Sequence, residues 1–282
     1  EHMKPILLVA FSGGRTSAYM TKHALDNLSD EYDIHILFAN TGEEHEKTLD
    51  FVHNCDKHFG FNTVWLEADV RHGEKVSTQY KIVTYETASR NGEPFEEVIK
   101  KYGIPNMSFP HCTRELKMNP IHNYMKGINK DYLTALGIRA DETRRVSKSA
   151  TKNKIIYPLV DLDIDKEFIL DWWKEQPFDL DLEDREGNCK WCWKKSDKKH
   201  LTNILHNPEW YDFPNRMEEK YSSTHGDGVK DTTHTRHFFR QFRSTKDMFK
   251  LYDLTQGNLL PIDDTESGSC SESCELYPME ET

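Results

Sequence analysis

The chain has no apolar run long enough to span a bilayer, and its first residues lack the apolar core of a secretory signal. Both absences lead to the expectation of a cytoplasmic protein without membrane contacts. Excess positive charge is also missing: 37 Lys and Arg stand against 48 Asp and Glu, a formal net charge of −11. That balance argues against a broad nucleic-acid-binding face and leaves local basic patches open. No internal repeat is visible. No lysine follows the paired glycines near the start, which excludes the G-x-x-x-x-G-K-[ST] phosphate loop. Six cysteines without a signal are expected to stay reduced, which favours metal binding or redox chemistry over a disulfide framework.

What the chain does have begins at Phe11-Ser12-Gly13-Gly14-Arg15-Thr16-Ser17. An apolar run, Pro5 to Ala10, precedes this segment, and a helix-like run, Thr16 to Leu28, overlaps its end. A strand, a Ser-Gly-Gly turn and a helix start put free backbone N–H groups and the positive end of a helix dipole at one point. The two glycines permit positive φ and close backbone approach, while Ser12, Thr16 and Ser17 add hydroxyl donors. The expected guest is a phosphate held by Ser12, Gly13, Gly14, Arg15, Thr16 and Ser17.

Buried strands are expected at Lys4–Phe11, Asp33–Ala39, Thr63–Glu67 and Tyr132–Ile138, with helices at Thr16–Leu28 and His45–Phe59. Apolar strands alternating with helices predict an α/β, doubly wound parallel sheet. In such a sheet, ligands sit beyond the carboxyl ends of the strands. The loops there are the Ser-Gly-Gly turn, Asn40-Thr41-Gly42-Glu43, and Gly137-Ile138-Arg139-Ala140-Asp141-Glu142. Residues 70–110 carry no strong strand pattern and read as an insertion in a nucleotide-binding domain spanning 4–165. Residues 166–282 read as a smaller, mainly helical, cysteine-containing region. It holds a helix at Asp165–Glu175, an acidic stretch from Asp179 to Glu186, and an acidic, Ser-rich tail.

Cys189-Lys190-Trp191-Cys192 places two thiols one turn apart, a spacing that lets both reach one metal or cluster. Cys112 is the best third ligand, and Cys270 or Cys274 the fourth. Three thiolates plus His111 would also satisfy zinc. Cys55 falls on an apolar helical face and reads as core. Arg139, at the end of a strand, matches a phosphate or sulfate bidentately. Asp141 or Glu142 would hold Mg²⁺ if the nucleotide is ATP. The basic and aromatic run His234–Phe249 reads as an amphipathic helix with a packed aromatic face. Its alternative role is a nucleic-acid contact made by stacking and charge.

The Ser12-Gly13-Gly14-x-x-Ser17 loop resembles the PP-loop of the ATP-pyrophosphatase and phosphoadenosine phosphosulfate (PAPS) reductase superfamily, also called adenine nucleotide alpha hydrolases. His111-Cys112, Arg114 and Lys117, followed by Cys189-x-x-Cys192, resemble the cluster-binding pattern of the sulfonucleotide reductases in that group. Tyr157-Pro158-Leu159-Val160-Asp161 through Trp172 resembles the segment leading into the cluster-binding loop. Glu272-Ser273-Cys274-Glu275-Leu276 loosely resembles the reductases' nucleophile tail. The resemblance implies adenosine held near Asn40, Thr41 and Gly42, and phosphates near Gly137 and Arg139. It also implies a [4Fe-4S] cluster on Cys112, Cys189, Cys192 and Cys274, with His111 standing where the family's first cluster cysteine would be.

Two reactions follow from the resemblance. One is sulfonucleotide reduction, with Cys274 as nucleophile beside Arg139 and Lys117 and a thiol as reductant. The other is ATP-dependent thiolation that uses a sulfur donor, with a nucleic acid among the acceptors. A non-enzymatic alternative is a nucleotide-sensing regulator with structural zinc. A homo-oligomer is compatible with all three.

Overall fold

The computed structural model describes residues 3–129 and 131–255. The hydrophobic strands β1 (Ile6–Ala10), β2 (Asp33–Asn40) and β3 (Val64–Asp69) alternate with α1 (Arg15–Leu28) and α2 (Glu46–Phe59). An antiparallel edge strand β4 (Gln79–Val83) follows, then α3 (Glu93–Tyr102) and α4 (Asn119–Ile128). Two short strands, β5 (Leu133–Ala135) and β6 (Ile155–Ile156), complete a six-stranded sheet of order β4-β3-β2-β1-β5-β6. All neighbouring pairs except β3–β4 are parallel, which gives the expected doubly wound α/β fold.

The chain winds outward from β1 to β3 with α1 and α2 on one face, then returns across β1 with α4 on the other. Right-handed crossovers require this change of face when the direction of winding reverses. Leu7, Val9, Ile36 and Phe38 pack with residues of α1 and α2 on the first face. Leu8, Leu37, Ala39 and Leu66 pack with Ile121 and Met125 of α4 on the second. The winding reverses between β1 and β5, so the crevice where doubly wound sheets take ligands opens at the carboxyl ends of those two strands.

The rest of the described chain carries five further helices joined by irregular segments: α5 (Pro158–Asp161), α6 (Lys166–Lys174), α7 (Asp197–His206), α8 (Asp212–Tyr221) and α9 (Thr245–Thr255). Helix α6 sends Ile169 and Trp173 into the sheet core. A second core gathers Phe95, Val98 and Ile99 of α3 with Trp191, Trp193, Tyr211, Phe213, Met217, Phe238 and Phe239. Residues 70–110 therefore divide between the edge of the sheet and this second core.

Three expectations are corrected. The 70–110 segment does contain a strand, β4. It escaped notice because an edge strand is half solvated and has no continuous apolar run: Ile82 is exposed and Lys81 reaches Glu67. The expected Tyr132–Ile138 strand shortens to Leu133–Ala135, which leaves Gly137, Ile138 and Arg139 in the loop after it. His234–Phe249 is not one helix. It runs extended through Phe239, turns at 240–242 and becomes helical only at Thr245.

Candidate active site

The Ser-Gly-Gly loop is built as the sequence predicts, with one refinement. Only Gly13 has positive φ, +85°, and a side chain there would lie 2.8 Å from Thr48 Cγ2. Gly14 is ordinary extended backbone at φ −100° and serves as the N-cap of α1. Ser12 and Ser17 face each other: their hydroxyls are 2.9 Å apart, and the Ser12 N–H donates to Ser17 Oγ at 3.2 Å. Gly137 lies against the same turn, where a Cβ would approach Ser17 Cα to 3.0 Å. Buried Arg139 donates from Nη1 to Thr16 Oγ1 at 3.3 Å and from Nε to Asp141 at 2.9 Å. The predicted loop residues and the predicted strand-end arginine thus meet at one place.

An open pocket enclosing about 470 Å³ of space adjoins this loop. Ser12, Gly13, Gly14, Arg15, Glu44 and Thr48 form one wall. Leu180, Leu182, Glu183, Asp184, Gly187 and Asn188 form the other, and sequence reading missed these. The signal was the position of the acidic stretch just ahead of the Cys-x-x-Cys turn. Asp179 at its head takes Arg15, with Nε to Oδ1 at 2.6 Å, so Arg15 ties this wall to the loop. Trp173 Nε1 adds a donor to the Arg15 carbonyl at 3.0 Å.

Cys112, Cys189 and Cys192 are buried and line a second pocket of about 350 Å³ with Thr41, Phe95, Leu116, Lys117, Trp191, Trp193 and Lys194. A π-helical turn, Arg114–Met118, follows Cys112 and buries Leu116 and Lys117. Lysine Lys195 is also buried and donates to the carbonyls of Cys189 and Lys190 at 2.9 and 2.8 Å. Burial pushes its pKa down to about 8, although Cys192 and Cys189 pull in the other direction. The donor set is therefore three thiols in a largely apolar hollow with a lysine beside the turn. Among the described residues no three His, Cys, Asp or Glu side chains gather closely enough to grip one ion. Three thiols around one hollow are a donor set of the kind that zinc or an iron–sulfur cluster uses.

His111 does not line that pocket. Its Nε2 lies 3.1 Å from the Gly103 carbonyl oxygen, and burial holds its pKa down at about 4. Cys270 and Cys274 lie outside the described residues. Cys55 is buried in the sheet core, as expected. Asp141 and Glu142 are engaged by Arg139 and Arg145 rather than aimed into the first pocket. Asn40 is fully buried and holds the β2 loop: it donates to Glu67 and to the Ser89 carbonyl, and accepts from the Gly42 N–H. Thr41 faces the thiols, with its Oγ1 3.5 Å from Cys189 Sγ.

The two pockets share a partition. Glu44 pairs with Cys189 in an antiparallel bridge, and the Lys190 N–H donates to the Glu43 carbonyl at 3.1 Å. Glu44 lines the first pocket, while its ion-pair partner Lys117, 3.4 Å away, lines the second. Asn188 and Cys189, adjacent in sequence, likewise face opposite sides. Glu43 stands behind the partition, where burial raises its carboxyl to about 7.

Comparison with known proteins agrees with this architecture. The phosphoadenosine phosphosulfate reductase domain matches residues 6–155, which include the loop, Cys112 and Arg139. The uncharacterized nin region protein ORF290 of Escherichia phage lambda is 32% identical over 96% of this chain and 95% of its own length. Two uncharacterized Methanocaldococcus jannaschii proteins, MJ0066 and MJ0973, are 30% and 26% identical over 55% and 72% of this chain. Those matches cover only 26% and 38% of the archaeal proteins' own lengths.

Proposed function

The chain belongs to the phosphoadenosine phosphosulfate reductase domain family, and from that premise we propose that it is an enzyme that activates an acceptor with ATP and replaces the activated oxygen with sulfur. The observation that carries this reading is the shared partition: a crevice beside the Ser-Gly-Gly loop and a three-thiol pocket lie on two sides of Glu44 and the Asn188–Cys189 step.

Ser12, Gly13, Gly14, Thr16 and Ser17 would hold the phosphate chain with backbone amides and hydroxyls, and Arg139 would sit at its edge. Glu44, Glu183 and Asp184 line the same crevice, so Mg²⁺ between them and the phosphates would offset the like charges. An acceptor oxygen attacks the α-phosphorus; that P–O bond forms as the α–β anhydride breaks, and pyrophosphate leaves. A sulfide-level donor then forms the C–S bond as the C–O bond to AMP breaks, and the donor's proton passes to solvent. Cys112, Cys189 and Cys192 would hold a [4Fe-4S] cluster, whose chemistry when bound is to carry sulfur or electrons. The chain's own part is to keep that hollow dry with Phe95, Leu116, Trp191 and Trp193, and to hold the turn with Lys195.

Anaerobic incubation of iron-reconstituted protein with ATP, PAPS or adenosine phosphosulfate in parallel tests the proposal. Pyrophosphate from ATP, lost on Ser17→Ala substitution, is the expected result. Sulfite from PAPS or adenosine phosphosulfate would instead establish the reductase reading and the role of Cys274. Iron and acid-labile sulfide should fall sharply in Cys112→Ser, Cys189→Ser and Cys192→Ser and persist in Cys55→Ser. Full iron in Cys189→Ser would contradict the cluster assignment.

A further inference from the structure

Among residues that line neither pocket, the backbone is least ordinary at Gln241 and Phe242. The two residues have φ of 59° and 58°, in succession, and neither is glycine. They are the central pair of a tight turn from Arg240 to Arg243, closed by a 3.4 Å bond from the Arg243 N–H to the Arg240 carbonyl and flanked by a Phe239–Arg243 bridge with a 3.1 Å bond from the Phe239 N–H to the Arg243 carbonyl. Turns with two positive φ values favour Asn and Gly, and an aromatic there is strained. Burial does not repay the strain, because Phe242 is 78% exposed while Phe238 and Phe239 are buried. Strain kept without a packing return marks a candidate functional position.

The turn stands at the rim of the thiol pocket. Arg240 Nη2 donates to the carbonyl of Lys194 at 2.7 Å, and Lys194 lines that pocket. Arg243 holds Asp197 at 2.7 Å, fixing the turn to the start of α7, next to exposed Lys198. In a chain of net charge −11, positions 190–199 carry five lysines, of which Lys195 and Lys199 are buried, and the turn adds Arg240 and Arg243. Asp197, the one acidic residue of that stretch, is already paired with Arg243.

We infer that Phe242 is a stacking platform for an unpaired base of a single-stranded nucleic acid whose phosphates run over Arg240, Lys194 and Lys198 toward the thiol pocket. A rigid turn offers the ring with little entropy left to lose, and every base has a face that stacks on it. The cations answer the backbone phosphates, and salt weakens that contribution. A duplex hides its base faces and makes only the salt-sensitive contact. The inference rests on the proposed thiolation only in naming the strand as sulfur acceptor; the binding itself does not require turnover.

Fluorescence anisotropy with labelled oligouridylate, oligothymidylate and a duplex of equal length, on the full-length protein, tests it. Single strands should bind more tightly than the duplex, and the uridylate and thymidylate arms tell RNA from DNA. Phe242→Ala should weaken single-strand binding by about tenfold, and Phe242→Trp should retain it. Phe242→Gly should lose binding while being at least as stable as the parent, since it relieves the backbone. Unchanged affinity in Phe242→Ala, duplex binding as tight as single-strand binding, or a dimer that Phe242→Ala dissociates would each overturn the inference. Phe242-dependent strand binding in a protein that fails to bind ATP would uphold it and overturn the nucleotide proposal.

Discussion

Trp191 Nε1 donates to Glu43 Oε1 at 2.6 Å, fastening the middle of the Cys-x-x-Cys turn to the loop that ends β2. The indole also packs between Phe95, Phe213 and Phe238. The bond joins the second core to the sheet at the partition between the two pockets. Trp191→Phe keeps most of the ring packing and leaves a buried carboxyl short of its donor. Stability to urea should drop by about 1–3 kcal/mol. No loss in urea midpoint would mean that the bond does not hold the partition.

The approach of Gly137 to Ser17 shapes the proposed anion site. An alanine at 137 puts its Cβ 3.0 Å from Ser17 Cα and 3.3 Å from Ser17 N, so the first turn of α1 must shift. Overpacking of this kind costs about 1–3 kcal/mol. Calorimetric titration should show ATP affinity reduced by about tenfold in a Gly137→Ala protein that remains folded. Undiminished affinity would separate Gly137 from the site.

Glu44 and Lys117 form a buried ion pair. Removing one partner of such a pair strands the other charge and costs about 3–5 kcal/mol. Lys117→Met should therefore destabilise strongly, and Lys117→Met with Glu44→Gln should recover much of the loss. A double variant as unstable as the sum of the single ones would show that the two groups act independently.

Burial holds the His200 pKa down at about 3, with the Tyr211 hydroxyl 2.8 Å from its Nδ1. The unfolded histidine titrates near ~6.5, so the unfolded state takes up the proton first as pH falls. Its contribution to stability is complete above that value and is lost as pH drops toward 3. By pH ~4 the loss reaches about 3 kcal/mol. His200→Gln should be less stable at neutral pH but should show a flatter stability curve between pH ~6.5 and ~4. Parallel curves for the two proteins would show that His200 does not titrate across the transition.

The loop, the first three strands, α1, α2 and the three cysteines were legible because each signal is local: a period, a turn dipeptide, a spacing. Gly137 and Arg139 were legible as the polar end of an apolar strand. The acidic wall from Leu180 to Asn188 was not, because its place is set by the Arg15–Asp179 contact across 164 positions. Nor was the use of Asn40, whose amide is consumed by Glu67 and Ser89 rather than directed into either pocket. Long-range pairings of this kind leave no periodic trace in sequence, and edge strand β4 leaves only a weak one.

The central claim is that the phosphate crevice and the thiol pocket are two halves of one site. Phosphorus electron–nuclear double resonance on the reduced, iron-loaded protein with ATP bound tests this directly. The account predicts a phosphorus coupling to the cluster spin that disappears when ATP is omitted. An ATP-saturated, fully iron-loaded protein without phosphorus coupling would contradict it.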